Sequence, residues 1–227
     1  MKFSLSKRIA AEFLGTGFLV AAVVGSGIMG ERLSAGNVAI ALLANTIATG
    51  AALAALILAL RPISGAHLNP VVSMAEAARG GISWYEAALY LIAQIIGGIA
   101  GTGCADLMFA LPPFSISHHG RTGAPLWFSE FIATFGLILV IRTVARFSLD
   151  WLPFAVAAYI TAAYWFTAST SFANPAVTIA RSLTNTFAGI RPVDVPAFIG
   201  AQLAGGFSAV FVSDWLGVRA SEAPIEP

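Results

Sequence analysis

The chain has 227 residues and a formal net charge of +1; 58% of its residues are hydrophobic and only 10% are charged. An average soluble domain carries roughly 25% charged residues, so this balance excludes a disordered chain, a nucleic-acid binder with a basic face and an ordinary cytosolic enzyme. A membrane span takes about 20 apolar residues. Here the apolar residues lie in long runs with charges bunched between them, the pattern of an integral membrane protein.

The N-terminus carries Lys2, Lys7 and Arg8 before an apolar run from about 9 to 29, too long for a signal peptide. Further runs cover about 37–60, 83–105, 126–147, 152–167 and 195–217, so six spanning helices are predicted. Sustained alternation of apolar and polar residues is missing, which argues against a porin-type barrel. With the N-terminus inside, Lys2, Lys7, Arg8, Arg61, Arg79, Arg142, Arg146 and Arg219 fall on the inner side, and Arg32, Arg121, Arg181 and Arg191 on the outer. That bias places both termini in the cytoplasm and the chain in the cell (inner) membrane. The polar stretch from Ala220 to Pro227 reads as a frayed end, and the single cysteine, Cys104, excludes an intramolecular disulfide framework and a cysteine-built metal site.

Two segments between the spans do not read as loops. One is Ile63-Ser64-Gly65-Ala66-His67-Leu68-Asn69-Pro70-Val71-Val72-Ser73, the other Ser169-Thr170-Ser171-Phe172-Ala173-Asn174-Pro175-Ala176-Val177-Thr178. Both are too short to span and too apolar for open water. In each, an Asn stands at a helix N-cap with Pro in the first helical position, so each Asn-Pro starts a short helix. The approach before it is non-helical backbone, which membrane depth tolerates only inside protein or along a wet cavity. Two re-entrant half-helices are predicted.

These segments lie 105 residues apart, and they are one of several internal matches. Ala93-Gln94-Ile95-Ile96-Gly97-Gly98 recurs as Ala201-Gln202-Leu203-Ala204-Gly205-Gly206, and Ala11-Glu12-Phe13 as Ser129-Glu130-Phe131. The chain reads as one domain, 1–227, made of a three-helix unit written twice: about 7–105, a linker of about 106–125, about 126–217, and a tail, 218–227. Three spans per unit is an odd number, so the second copy inserts upside down and the half-helices meet from opposite faces. Each half-helix start carries about half a positive charge. Cations meet a barrier there, whereas neutral hydrogen-bonding solutes find amide donors and backbone acceptors.

On these residues the chain resembles the aquaporin and aquaglyceroporin (major intrinsic protein) family, as a bacterial-type member. Ser64-Gly65-Ala66-His67-Leu68-Asn69-Pro70-Val71 looks like the family's SGAHxNPA with Val last, and Asn174-Pro175-Ala176 matches fully. The resemblance implies an all-α bundle of six transmembrane helices and two half-helices, assembled in the bilayer as a homotetramer with one pore per subunit. It implies a passive channel for water and small neutral solutes, with no cofactor, metal or nucleic acid. Asn69, Pro70, Val71, Asn174, Pro175 and Ala176 would form the pore centre and His67 would line one half. Glu12 and Glu130 would sit buried as hydrogen-bond acceptors; a proton relay or a substrate site are the alternatives for a carboxylate in a span, and their matching places in the repeat favour the structural role.

Counting from the two asparagines as the family pattern implies, the outer constriction falls on Thr49, Ala162, Ser171 and Val177, where an Arg is usual in place of Val177. All four are small or medium and uncharged, so the ring is expected to be wide, passing glycerol, urea and neutral metalloid hydroxides such as arsenite. Arg181, one turn beyond Val177, either lines the outer vestibule or caps loop carbonyls or pairs with Asp194. A secondary active transporter and a water-dominant channel are the competing readings; nothing points to an enzyme. Among lesser features, the glycine pairs and Gly15/Gly17 suit close helix crossings. Trp84, Trp127, Trp151 and Trp215 suit interfacial anchors, and His118-His119 lack the further ligands of a metal site.

Overall fold

The computed structural model describes residues 3–217; Lys2, Arg219 and the tail expected from Ala220 lie outside the described residues. The helices are α1 (Leu5–Leu33), α2 (Val38–Ser64), α3 (Pro70–Ala78), α4 (Trp84–Met108), α5 (Ala124–Phe147), α6 (Leu152–Phe166), α7 (Pro175–Arg181) and α8 (Val195–Trp215), the last entered through a 3-10 turn, Pro192–Asp194. The described residues contain no strand. α1, α2, α4, α5 and α8 with its entry turn are long and apolar enough to cross a bilayer. α6, with 15 residues, rises only about 23 Å at 1.5 Å per residue; it is the fifth of the six apolar runs, and chain 167–173 carries its end on toward α7.

Local chemistry sets the helix ends. Asn37 accepts from the backbone of Ala39 and Ile40 at the start of α2, and Ser83 with Glu86 forms a reciprocal cap on α4. α2 stops at Gly65, whose φ of 94° is left-handed. α1 packs on α4 as α5 packs on α8. Both crossings depend on backbone proximity, because a Cβ at Gly97 would collide with the Phe13 carbonyl and one at Gly205 with the Phe131 carbonyl. Since Phe13/Gly97 and Phe131/Gly205 are repeat-related, one sequence device builds both halves.

Ion pairs tie helices together toward the ends. Arg8 holds Glu86, and Asp214 accepts from Arg79 at 2.7 Å and Arg142 at 2.6 Å, joining α3 and α5 to α8. Trp84 and Trp215 are exposed at helix ends, as is Trp151 at the start of α6.

Candidate functional site

α3 and α7 begin at Asn69 and Asn174, and the structure brings these two starts together in the middle of the bundle. Each Asn side chain uses its oxygen on its own helix: Asn69 Oδ1 accepts from Val71 N at 3.0 Å, and Asn174 Oδ1 from Ala176 N at 3.0 Å and Val177 N at 3.3 Å. Each uses one amide hydrogen on the other half. Asn69 Nδ2 donates to the Ala173 carbonyl at 2.7 Å, and Asn174 Nδ2 to the Leu68 carbonyl at 2.8 Å. An amide NH2 carries two donors, so each Asn retains a hydrogen for the cavity that both side chains line.

The approaches to these caps are held in unusual backbone. Ala66 and Leu68 have φ near 50°, and Ser171 and Ala173, their repeat partners, have 49° and 48°. Left-handed non-glycine residues cost of order 1–3 kcal/mol each and persist only where their surroundings fix them. The carboxylates do the fixing. Glu12 accepts from Ser64 Oγ at 2.7 Å, His67 N at 2.9 Å, Leu68 N at 2.7 Å and Gln94 Nε2 at 2.8 Å. Glu130 accepts from Phe172 N and Ala173 N, both at 2.9 Å, and Gln202 Nε2 at 2.6 Å. Gln94 also donates to Ser73 Oγ and Gln202 to Thr178 Oγ1, each at 2.9 Å. Both glutamates are fully buried, and each has donors at both of its carboxylate oxygens.

One cavity of about 560 Å³ passes both asparagines, with Arg61, Glu76 and Asp150 at one end and Arg181 at the other. His67 lines it, its Nδ1 3.0 Å from Ser73 Oγ and its ring edge-on to Tyr90. Pro70, Val71, Pro175 and Ala176 are buried but stand behind the wall; Val71 packs with Ala75, Ile138 and Ala209.

Toward the Arg181 end the lining includes Thr49, Ser171 and Val177, but not Ala162. Ala162 is exposed on the outside of α6. The helix turns Leu152, Val156, Ile160 and Tyr164 inward at every fourth position, and a residue two places before Tyr164 lies some 200° around the axis. Tyr164 takes the place expected for Ala162. Its hydroxyl lies 3.3 Å from Thr49 Oγ1, so the cavity wall here carries a bulky phenol, where four small or medium groups were expected. The i, i+4 spacing of Leu152, Val156, Ile160 and Tyr164 is the signal that could have identified the cavity face of α6.

Arg181 is 2% exposed. Its Nε donates to the Ala188 carbonyl, and its guanidinium sits 3.4 Å from the centre of the Phe172 ring. It therefore both caps a loop carbonyl and borders the cavity. It does not pair with Asp194, which instead accepts from Arg121 N at 2.7 Å, Thr122 Oγ1 and Arg191 Nε at 3.0 Å. Arg121 enters from the linker, donating to the Gly189 carbonyl at 2.8 Å and the Ser169 carbonyl at 3.3 Å, with its guanidinium 4.9 Å from the same ring. Burial pulls the Arg121 guanidinium below its ordinary pKa while Glu130, Tyr164 and Asp194 hold it up. Phe172 and Arg121 carried no motif and were not anticipated. Among the described residues no cluster of His, Cys, Asp and Glu could hold a metal ion.

Residues 1–149 match the major intrinsic protein family. The chain is 55% identical to aquaglyceroporin AqpS of Rhizobium meliloti (strain 1021) over 215 residues, 95% of this chain and 92% of that one. It is 34% identical to aquaporin NIP1-4 of Oryza sativa subsp. japonica over 147 residues, 64% of this chain and 52% of that one. In fold it is similar to the X-ray structure of the aquaglyceroporin from Plasmodium falciparum, with a TM-score of 0.75, 20% identity, and coverage of 93% of this chain and 96% of that one.

Proposed function

The chain belongs to the major intrinsic protein family, and from that premise we propose how its pore selects among solutes. It is a channel for water and small neutral solutes, and not an enzyme. The solutes beyond water are glycerol, urea and trihydroxy metalloid species such as arsenous acid. The observation that carries this range is the composition of the ring: Thr49, Tyr164, Ser171 and Val177 supply three hydroxyls, one of them held by its neighbour, and no charge. A polyol or a trihydroxy acid exchanges its hydration for hydroxyl and amide partners along the cavity, with Asn69 and Asn174 as the central donors and His67 in the half toward Arg61. Without a guanidinium fork inside the ring, the passage is not restricted to water-sized molecules.

Passive conduction fits the carboxylates. An active transporter coupled to protons needs a group that gains and loses them, and the oxygens of Glu12 and Glu130 are engaged by donors on every side. The protein works as a homotetramer in the bacterial inner membrane with both termini cytoplasmic, so that Arg181 faces outward and Arg61 inward. In proteoliposomes, swelling should be rapid with glycerol, urea and arsenous acid, unsaturated at millimolar solute and insensitive to collapse of proton and sodium gradients. Val177→Arg should lower glycerol and arsenous acid flux more than water flux. Unchanged solute flux in that variant would remove the ring from its place as the filter.

A further inference from the structure

The two half-helix starts oppose cations at the pore centre, but the uncharged ring adds no charge of its own that would turn ions back at the outer mouth. Thr49, Tyr164 and Ser171 line the cavity with hydroxyl oxygens that a cation coordinates as readily as a solute hydroxyl does. We propose that Arg181 is the outer cation barrier of this pore, so that size is judged at the ring and charge one helical turn further out.

The inference rests on the channel reading above and on the seat of this one side chain. Arg181 stands four residues after Val177 on α7, about 6 Å along the axis and on the same face, and it borders the cavity. Only its Nε has a hydrogen-bond partner among the described residues, the Ala188 carbonyl. Its two terminal nitrogens remain available to whatever occupies the cavity. The guanidinium cannot swing away: one face lies on Phe172, whose ring is braced edge-on by Phe198 at 5.3 Å and whose backbone is held by Glu130.

The surroundings leave the charge effective. Glu130 and Arg121 both act on Arg181. The Glu130 oxygens are already taken by Phe172, Ala173 and Gln202, and Arg121 adds a second positive charge near the same ring. A fixed cation as buried as Arg181 repels an arriving cation far more strongly than it would in bulk solvent. A neutral polyol meets no such barrier and finds two free donors. Ser171 Oγ, buried and without a partner among the described residues, supplies a further hydrogen-bonding group.

The test uses the full chain in liposomes, with potassium permeability and glycerol swelling measured on each preparation. The parent chain should swell in glycerol and stay tight to potassium. Arg181→Ala and Arg181→Gln should raise potassium permeability at least about tenfold while still swelling in glycerol. Arg181→Lys should stay tight, and Val177→Arg placed on the Arg181→Gln background should restore tightness. Swelling in glycerol reports that a variant is folded and open, so any neutral variant at position 181 that swells yet stays tight to potassium overturns the proposal. So does a lysine variant that leaks as much as the alanine one. Failure of the parent itself to swell would instead count against the channel reading.

Discussion

Replacing Glu130 by Gln separates a structural carboxylate from a working one. The side chain is fully buried and accepts three hydrogen bonds, from Phe172 N, Ala173 N and Gln202 Nε2. An amide in the same place turns one oxygen into a donor. The least harmful orientation sets that donor against Phe172 N, the one bond on its own oxygen, and leaves a buried N–H unpaired at about 1–3 kcal/mol. The other two bonds lose their ionic character, which removes about 1 kcal/mol each. The total is about 3–5 kcal/mol, and at roughly 2–4 °C per kcal/mol for a chain of this size the unfolding midpoint should fall by about 6–20 °C. Thermal unfolding in detergent micelles measures the shift; swelling of proteoliposomes well below the new midpoint measures conduction. A midpoint that falls while folded channels keep conducting, with no dependence on a proton gradient, is the expected result. A Glu130→Gln protein as stable as its parent but unable to conduct would refute the argument and make the carboxylate part of transport.

Two further outcomes follow from the geometry. Tyr164→Ala should increase the flux of four-carbon polyols relative to glycerol, whereas Ala162→Trp should leave both unchanged; stopped-flow swelling decides, and a block by the tryptophan would return Ala162 to the ring. Gly205→Leu should lower the unfolding midpoint in micelles by the equivalent of about 1–3 kcal/mol or more, because the side chain has to displace the Phe131 carbonyl. Gly200→Leu on the same helix, where a Cβ meets nothing within 4 Å, should be neutral or slightly stabilising.

The sequence was most informative where a local rule and the repeat agreed. Asn69-Pro70 and Asn174-Pro175 announce capped helices, and both caps are found with the geometry the residue types require. The long spans follow from apolar run length alone. Ala162 failed for a different reason: its place was counted from Asn174, and the count assumes a fixed length for the connection between α6 and α7. A helix's facing depends on its own phase, which the inward row of Leu152, Val156, Ile160 and Tyr164 records. Arg121 was legible only as a basic residue of the linker, since nothing local says that it folds back onto Phe172. Gln94 and Gln202 were visible as repeat signatures, but their work, bridging Glu12 to Ser73 and Glu130 to Thr178, exists only when three segments meet.

The crossed bonds of the two asparagines bear on how the protein is made. Asn69 emerges from the ribosome about a hundred residues before the Ala173 carbonyl it will hold, and Asn174 reaches back for the carbonyl of Leu68. Until the later segment arrives, the first re-entrant turn lacks that tie, although its contacts with Glu12 and Gln94 can already form. The centre of the channel is thus a joint that only the meeting of the two halves completes. If the chain were cut in the linker, neither fragment could complete its own turn, and the two made together in one membrane would have to find each other to do so.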